Sequence, residues 1–240
     1  MNYAGENKSN YVKETFNLIA EQYDLINTLM TFGLDKKWRS LAVKQLKAKP
    51  GAEILDVCCG TGQLSFELAK AVGSGGKVTG LDFSEKMLGF ANQRLAEKLA
   101  EQKQDWGKIR FVQGDALNLP FTDNSFDGIT IGWGLRNLTD IPRGIKEMMR
   151  VLKPGGIILS LDMAKPRLLI YKQLYWLYFK KIVPLLGRLL AKNESAYSYL
   201  YQSAKEFPSQ QEVASLFAEC GLKETGYRNL AGGVVALVLS

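Results

Sequence analysis

Apolar positions along this chain change period several times, and each change marks an element. Residues 10–30 carry Val12, Phe16, Ile19, Ala20, Tyr23 and Ile26 close to helical spacing, which predicts one helix there. A second helix is predicted over Lys36–Lys47, before Pro50-Gly51 breaks the pattern. From Glu53 onward short apolar runs alternate with helical stripes. Glu53–Val57, Lys77–Leu81, Ile109–Gln113, Asp127–Ile131, Ile157–Leu161 and Val234–Leu239 read as strands. Helices are predicted from Gly62 to about Val72 and from Ser84 toward Leu99. Two more run from Thr139 or Asp140 to the Lys153-Pro154-Gly155-Gly156 break, and from about Ser209 to Cys220. Ser84 suits an N-cap, with Glu85 favourably placed in the first turn.

This alternation predicts an α/β fold of parallel strands with helices on both faces. The stretch 163–211 breaks the rhythm, being helical and aromatic-rich, and no internal repeat or low-complexity tract is present. One domain is therefore expected over 1–240. It comprises a helical cap to residue 50, a core over 51–162, a helical lid over 163–211 and a C-terminal helix and strands over 212–240. Both helical additions fall where they would cover the ligand end of such a sheet.

The chemistry concentrates at the predicted strand ends. Leu55-Asp56-Val57-Cys58-Cys59-Gly60-Thr61-Gly62 ends a strand in a glycine turn, and Leu81-Asp82-Phe83-Ser84 carries an acid at the tip of the next. Such a pair builds a nucleoside crevice, with backbone close to the ligand and a carboxylate for ribose hydroxyls. The turn reads Gly60-x-Gly62-x-x-Ser65 and lacks the third glycine of a pyrophosphate fingerprint. Asp56, ahead of the turn, would repel a phosphate and favour a cation. A nucleoside carrying positive charge is S-adenosyl-L-methionine, which makes methyl transfer the expected reaction. On this reading the amides of Gly60, Thr61 and Gly62 face the methionine carboxylate, and Asp56 either engages the ammonium or orders the loop. Asp82 takes the ribose hydroxyls, while Asp115 of Gly114-Asp115-Ala116 reaches the adenine amino group with Ala116 beside the ring. Cys58 and Cys59 read as small buried residues rather than nucleophiles. After the fourth strand comes Ile131-Gly132-Trp133-Gly134-Leu135-Arg136-Asn137-Leu138, where an Arg-Asn pair can bind and polarise an oxygenated ring.

Composition narrows the mechanism. The 240 residues include no histidine, which excludes serine–histidine hydrolysis. A general base must be a carboxylate, tyrosine, lysine, water or the substrate's own ionised oxygen. With no histidine and no spaced cysteine pair, no metal site is expected. Three cysteines without a disulfide framework point to a reducing cytoplasm, and the polar Met1–Asn10 stretch predicts no signal peptide.

The net charge of +7 is local: Met163–Asn193 holds no acid and carries Lys165, Arg167, Lys172, Lys180, Lys181, Arg188 and Lys192. Leu168–Tyr171 and Leu174–Phe179 add a greasy surface between these cations. Charges interrupt each apolar run well short of the roughly 20 residues of a span. The segment suits an anionic membrane surface, hence a cytoplasmic protein touching the inner face of the membrane, or a packed lid with solvated lysines. Nucleic acid is not expected, because base-reading polar residues are not interleaved there.

The chain resembles the ubiquinone/menaquinone biosynthesis C-methyltransferases over nearly its whole length. The resemblance is carried by Tyr23-Asp24-Leu25-Ile26-Asn27 with Trp38, Leu55–Gly62, Asp82-Phe83-Ser84, Gly134-Leu135-Arg136-Asn137, Arg150–Gly156 and Glu206-Phe207-Pro208. It implies a class I, Rossmann-like methyltransferase with a mostly parallel seven-stranded sheet, and S-adenosyl-L-methionine as cofactor. The implied acceptor is a prenylated quinol. Thr61, Asp82, Asp115, Ala116 and Gly132 would line the cofactor site, with Asp56, Gly60, Gly62 and Phe83 beside them. Tyr23, Trp133, Arg136 and Asn137 would touch the substrate. Arg136 would stabilise a phenolate, Asn137 hold the ring oxygen, and Asp162, Asp24 or Tyr23 accept the proton. The chain departs from the family pattern at Asp35 and near Leu237-Val238-Leu239, where histidine is usual, and at Asp162, where glutamate is usual. A benzoquinol or other small-molecule acceptor, a non-catalytic S-adenosylmethionine-binding module, and a homodimer all stay open.

Overall fold

The computed structural model describes residues 6–101, 105–106, 108–190 and 194–240. Its strands are β1 Glu53–Val57, β2 Lys77–Asp82, β3 Ile109–Gln113, β4 Phe126–Gly132, β5 Leu152–Met163, β6 Gly226–Leu230 and β7 Val235–Leu239. They form one sheet in the order β3-β2-β1-β4-β5-β7-β6. The first five strands are parallel, and β7 runs antiparallel to both its neighbours. The chain winds outward from β1 to β3 and then returns to β4, so the winding reverses between β1 and β4. A crevice opens at the carboxyl ends of strands at such a reversal. β1 and β4 are covered on both faces, which explains their near-continuous apolar runs: Leu55, Val57, Ile129 and Ile131 are all inaccessible.

Two cores flank the sheet. One packs α6 (Ile141–Val151) and α9 (Gln210–Glu219) on it through Ile145, Met148, Val213 and Phe217. The other packs α3 (Leu34–Leu46) and α4 (Gln63–Val72) through Trp38, Ala42, Leu64 and Leu68. The caps are local chemistry: Ser84 Oγ accepts from the Met87 amide at the start of α5 (Glu85–Ala100), and Asp140, not Thr139, caps α6 through the Arg143 amide. Ser209 and Glu212 form a reciprocal capping box on α9. A third cluster lies above the strand ends. Ile19 of α1 (Glu6–Ile19) and Ile26 and Met30 of α2 (Tyr23–Met30) meet Phe179 and Val183 of α7 (Leu169–Leu190), with Ala204 of α8 (Glu194–Glu206). Among the described residues no helix is long and apolar enough to cross a membrane.

Three sequence expectations change. The single helix over 10–30 is two, because the Gln22 amide turns back to the Ile19 carbonyl at 3.1 Å and ends α1. The apolar period survives the break because Ile19 and Ile26 enter the same cluster. β5 begins at Leu152 rather than Ile157, passing through Pro154-Gly155-Gly156 with a register shift against β4 between Phe126 and Gly128. β6 was not foreseen as a strand: it is an edge whose only buried residue is Leu230, so no alternation marks it. Lys192 of the basic stretch lies outside the described residues.

Candidate active site

Beyond β1 the backbone turns left-handed at Cys58, Gly60 and Gly62, with φ of 55°, 56° and 80°. Trp133, beyond β4, is also left-handed at φ 60°. Left-handed backbone at two non-glycine residues is strain of the kind that concentrates at ligand sites. The two loops interlock, since a Cβ on Gly134 would lie 2.5 Å from Cys58 Cβ. Three adjoining cavities meet at Cys58. The first is lined by Asp82, Phe83, Asp115, Ala116 and Leu117 and is closed by Val12 of α1. A second lies over Gly60, Asp82 and Gly132, under Phe16 and Tyr23. The third is a larger chamber bounded by Asp56, Thr61, Trp133, Arg136, Phe179 and Leu200.

The sequence places acids at the two strand tips, and the fold buries both. Asp82 accepts from the Gly60 amide at 2.8 Å and the Ser84 amide at 2.9 Å. Burial pushes its carboxyl above the ordinary value, and the amides pull it back. Asp56 accepts from Ser65 Oγ at 2.6 Å and Thr130 Oγ1 at 2.8 Å, while burial raises it to about 6. Both Asp56 oxygens are thus engaged, one by the helix that follows the loop and one by β4. The expectation for the glycine amides needs correcting too. The Gly60 amide is taken by Asp82 and the Gly62 amide by the Cys59 carbonyl at 3.0 Å, so neither is free for a carboxylate. Gly62 lines none of the three cavities; it is glycine because a Cβ there would stand 2.7 Å from the Phe111 ring. Desolvation, reinforced by the charges of Asp82 and Asp56, holds the thiols of half-buried Cys58 and buried Cys59 well above the ordinary value and leaves them protonated.

Among the described residues, no lysine or arginine lines the two inner cavities. A diphosphate would sit there against Asp82 and Asp115 with no counter-charge. An uncharged nucleoside joined to a cationic sulfur meets no such penalty, and the carboxylates favour it. The residues present therefore fit S-adenosyl-L-methionine.

The chamber is built differently. Arg136 sits in the 3-10 turn Leu135–Asn137 with only 5% of its surface exposed. Its Nη1 donates to Asp162 Oδ1 at 2.8 Å and to the Trp133 carbonyl, and its backbone amide donates to Asp162 Oδ2 at 3.3 Å. Burial works against the charge, but Asp162 outweighs it and keeps the guanidinium protonated. Arg136 Nε is buried with no hydrogen-bond partner among the described residues. A buried donor left unpaired is costly unless a ligand meets it.

Asp162 itself lies behind Arg136 rather than on the chamber wall and also accepts from the Met163 amide at 2.8 Å. It therefore meets the chamber only through Arg136, not directly as the sequence reading expects. Asn137 is likewise corrected: it lines the inner cavities, not the chamber. Its Nδ2 donates to the Trp133 carbonyl at 3.2 Å and its Oδ1 accepts from Tyr199 Oη at 3.2 Å. Neighbours in sequence thus face opposite compartments, because a 3-10 turn rotates successive side chains by about 120°.

Tyr23 separates the compartments; burial raises its phenol while the Arg136 charge opposes that. A raised phenol stays protonated and is a poor base. Asp24 lines the chamber and accepts from Thr61 Oγ1 at 2.8 Å, Gln63 Nε2 at 3.2 Å and Arg94 Nη2 at 2.7 Å. Asp35 is also on the chamber wall, paired with Arg39 at 2.8 Å. Sequence reasoning missed Arg94, Tyr199 and the roofing residues Val12 and Phe16. Each comes from a segment remote from the strand ends, and no local motif marked it.

A family model described as the ubiE/COQ5 methyltransferase family matches residues 4–240. A protein of Desulfitobacterium hafniense named demethylmenaquinone methyltransferase is 58% identical, over 99% of this chain and 92% of its own length. One of the same name from Bacillus licheniformis is 43% identical, over 96% of each. Among solved structures, a SAM-dependent methyltransferase from Aquifex aeolicus superposes with a TM-score of 0.61 at 21% identity, covering 84% of this chain and 88% of that one. A SAM-dependent methyltransferase from Thermotoga maritima gives 0.60 at 19% identity, covering 92% and 97%. At such identities the solved structures establish the fold, that of the class I methyltransferases.

Proposed function

The chain belongs to the ubiE/COQ5 methyltransferase family and uses S-adenosyl-L-methionine as methyl donor, and from that premise we propose that it methylates a ring carbon of demethylmenaquinol to give menaquinol. The observation that carries the acceptor chemistry is the buried, unpartnered Nε of Arg136. A buried guanidinium on the chamber wall with one N–H unmet is suited to an oxyanion, and a hydroquinone generates one when a ring hydroxyl ionises.

When bound, S-adenosyl-L-methionine supplies an electrophilic methyl group on a positive sulfur. Asp82, Phe83, Asp115 and Ala116 would hold its nucleoside, and Gly132 and Trp133 flank the passage into the chamber. Arg136 lowers the pKa of the ring hydroxyl and stabilises the phenolate, which pushes charge onto the adjacent ring carbon. The hydroxyl proton leaves to solvent or to Asp24, a chamber carboxylate. With the donor bound, the new carbon–methyl bond would be made at the expense of its carbon–sulfur bond, and the proton displaced from that carbon would pass through water to the ring oxygen held by Arg136, so that one proton in all is released. Asp162 keeps Arg136 charged and oriented, while Asn137 braces the loop. Phe179, Leu200, Met163 and Met30 give the chamber an apolar side that suits a prenyl chain. The acid-free, basic outer face of α7 supports peripheral contact with an anionic bilayer, where such a lipid resides.

The test is incubation with labelled S-adenosyl-L-methionine and either demethylated naphthoquinol or demethylated benzoquinol, followed by mass analysis of the lipid fraction. Label is expected on the naphthoquinol ring. Faster labelling of the benzoquinol would overturn the ring assignment, and label in neither would overturn the acceptor class.

A further inference from the structure

Exposed apolar side chains of this protein gather on the outer sides of two helices distant in sequence. On α2, Leu25, Leu29 and the following Phe32 share one face at helical spacing and are 58%, 45% and 82% exposed. Phe32 is held there by backbone: its φ is 52°, its amide donates to the Leu29 carbonyl, and the Gly33 amide donates to the Thr28 carbonyl. A large ring fixed outward in a left-handed turn is an unusual use of an aromatic residue. On α7, Leu174, Leu177, Ile182 and Leu185 are exposed as well. The two helices adjoin, since Tyr178 Oη donates to the Met30 carbonyl at 3.0 Å and the Phe32 and Tyr178 rings lie 6.2 Å apart. Their inner faces are already spent on the cluster of Ile26, Met30, Phe179 and Val183, and apart from the Phe32–Tyr178 contact the outer apolar side chains stay exposed among the described residues.

Charge says what covers them. Lys172, Lys180, Lys181 and Arg188 are exposed along α7, and Lys36 and Lys37 are exposed just beyond Phe32. Glu21, exposed one turn before Leu25, is the acid beside this patch, and an excess of cations around an apolar patch fits an anionic surface better than a protein core. The chamber has Met30 and Thr31 of the α2 end, Lys36 and Phe179 on its wall, so it borders this same face.

We propose that the combined α2–α7 face is the docking surface for an anionic bilayer, with Phe32 as its inserting tip. A lipid tail would then pass into the chamber beside Met30 and Phe179. This deepens the quinol reading above and rests on it, but the docking itself is measured without turnover.

The full chain, Phe32→Ser and Lys180→Glu/Lys181→Glu are compared by flotation with vesicles of phosphatidylcholine, with and without phosphatidylglycerol. The wild type is expected to bind only the anionic vesicles and to release at high salt. Each variant should bind them about tenfold more weakly or worse. Each should match the wild type on a short-tailed soluble demethylnaphthoquinol and fall behind on a long-tailed one carried in vesicles. Variant binding equal to wild type, or equal wild-type binding to neutral vesicles, would overturn the proposal. So would a dimer dispersed by Phe32→Ser, which would make a second copy the occupant. Failure of the wild type on the short-tailed quinol would instead strike the functional reading, leaving the vesicle result to stand by itself.

Discussion

The nucleoside crevice and the acceptor chamber share the ends of β1 and β4 yet are made in opposite ways. The crevice is a backbone construction: Asp82 caps the Gly60 and Ser84 amides, and most of its floor comes from strand ends and the turns that follow them. The chamber is a side-chain construction, with Arg136 held by Asp162 on the next strand and walls from α2, α7 and α8. A site made of local backbone can be shared across a fold class, whereas one made of distant side chains can change with the acceptor. The 19–21% identical neighbours retain the fold.

If the division is real, single substitutions separate binding of the donor from chemistry on the acceptor. Arg136→Ala has the largest expected effect: kcat falls about 10²–10³-fold, as for loss of one oxyanion donor, while calorimetric affinity for S-adenosyl-L-methionine changes less than threefold. A variant with full turnover would break the comparison at its centre. Asp56→Asn probes the shared floor. Its carboxyl titrates near 6 in the fold against an ordinary 3.8, so between about pH 4 and 6 the folded state binds the extra proton. Stability from this group is therefore greatest below pH 4, declines as pH rises toward 6 and is then flat, a change of roughly 3 kcal/mol. Denaturant midpoints across that window should lose this component in Asp56→Asn, and an unchanged profile would refute the assignment.

Asp82→Ala should do the reverse of Arg136→Ala. Donor affinity falls about 30- to 100-fold, the range for hydrogen bonds to a charged group, while kcat at saturating donor drops far less. Equal losses in both would mean that crevice and chamber act as one unit. Smallest is Tyr199→Phe, which removes the brace on Asn137 and is expected to raise the donor KM about two- to fivefold with quinol KM unchanged. A shift in quinol KM alone would assign Tyr199 to the chamber instead.

Legibility in the sequence follows the same line. β1, β3 and the Ser84 cap were readable to the residue, because buried parallel strands and caps are written in consecutive positions. Asp82, Phe83, Asp115 and Ala116 share one cavity wall because Asp82 ends β2 and the other three lie within three residues of a strand end, a placement that a local motif can mark. The loop after β4 was recognised, but not that Arg136 faces the chamber while Asn137 faces the crevice, nor that Asp162 stands behind the wall. β6 escaped notice because an exposed edge strand needs no apolar alternation. Helices α1 and α2 merged into one because both bury the same face, so period alone cannot reveal a turn between them.

By itself, then, the order of residues determined the winding of the sheet, the loops at its carboxyl ends and a preference for a cationic nucleoside. Those depend on local propensity, on burial and on the sign of charge beside a turn. Tertiary structure alone decided which amides are already spent, which arginine nitrogen is left unmet, and that Phe32 stands beside α7. Such properties arise where segments far apart in sequence meet, and no window along the chain contains them.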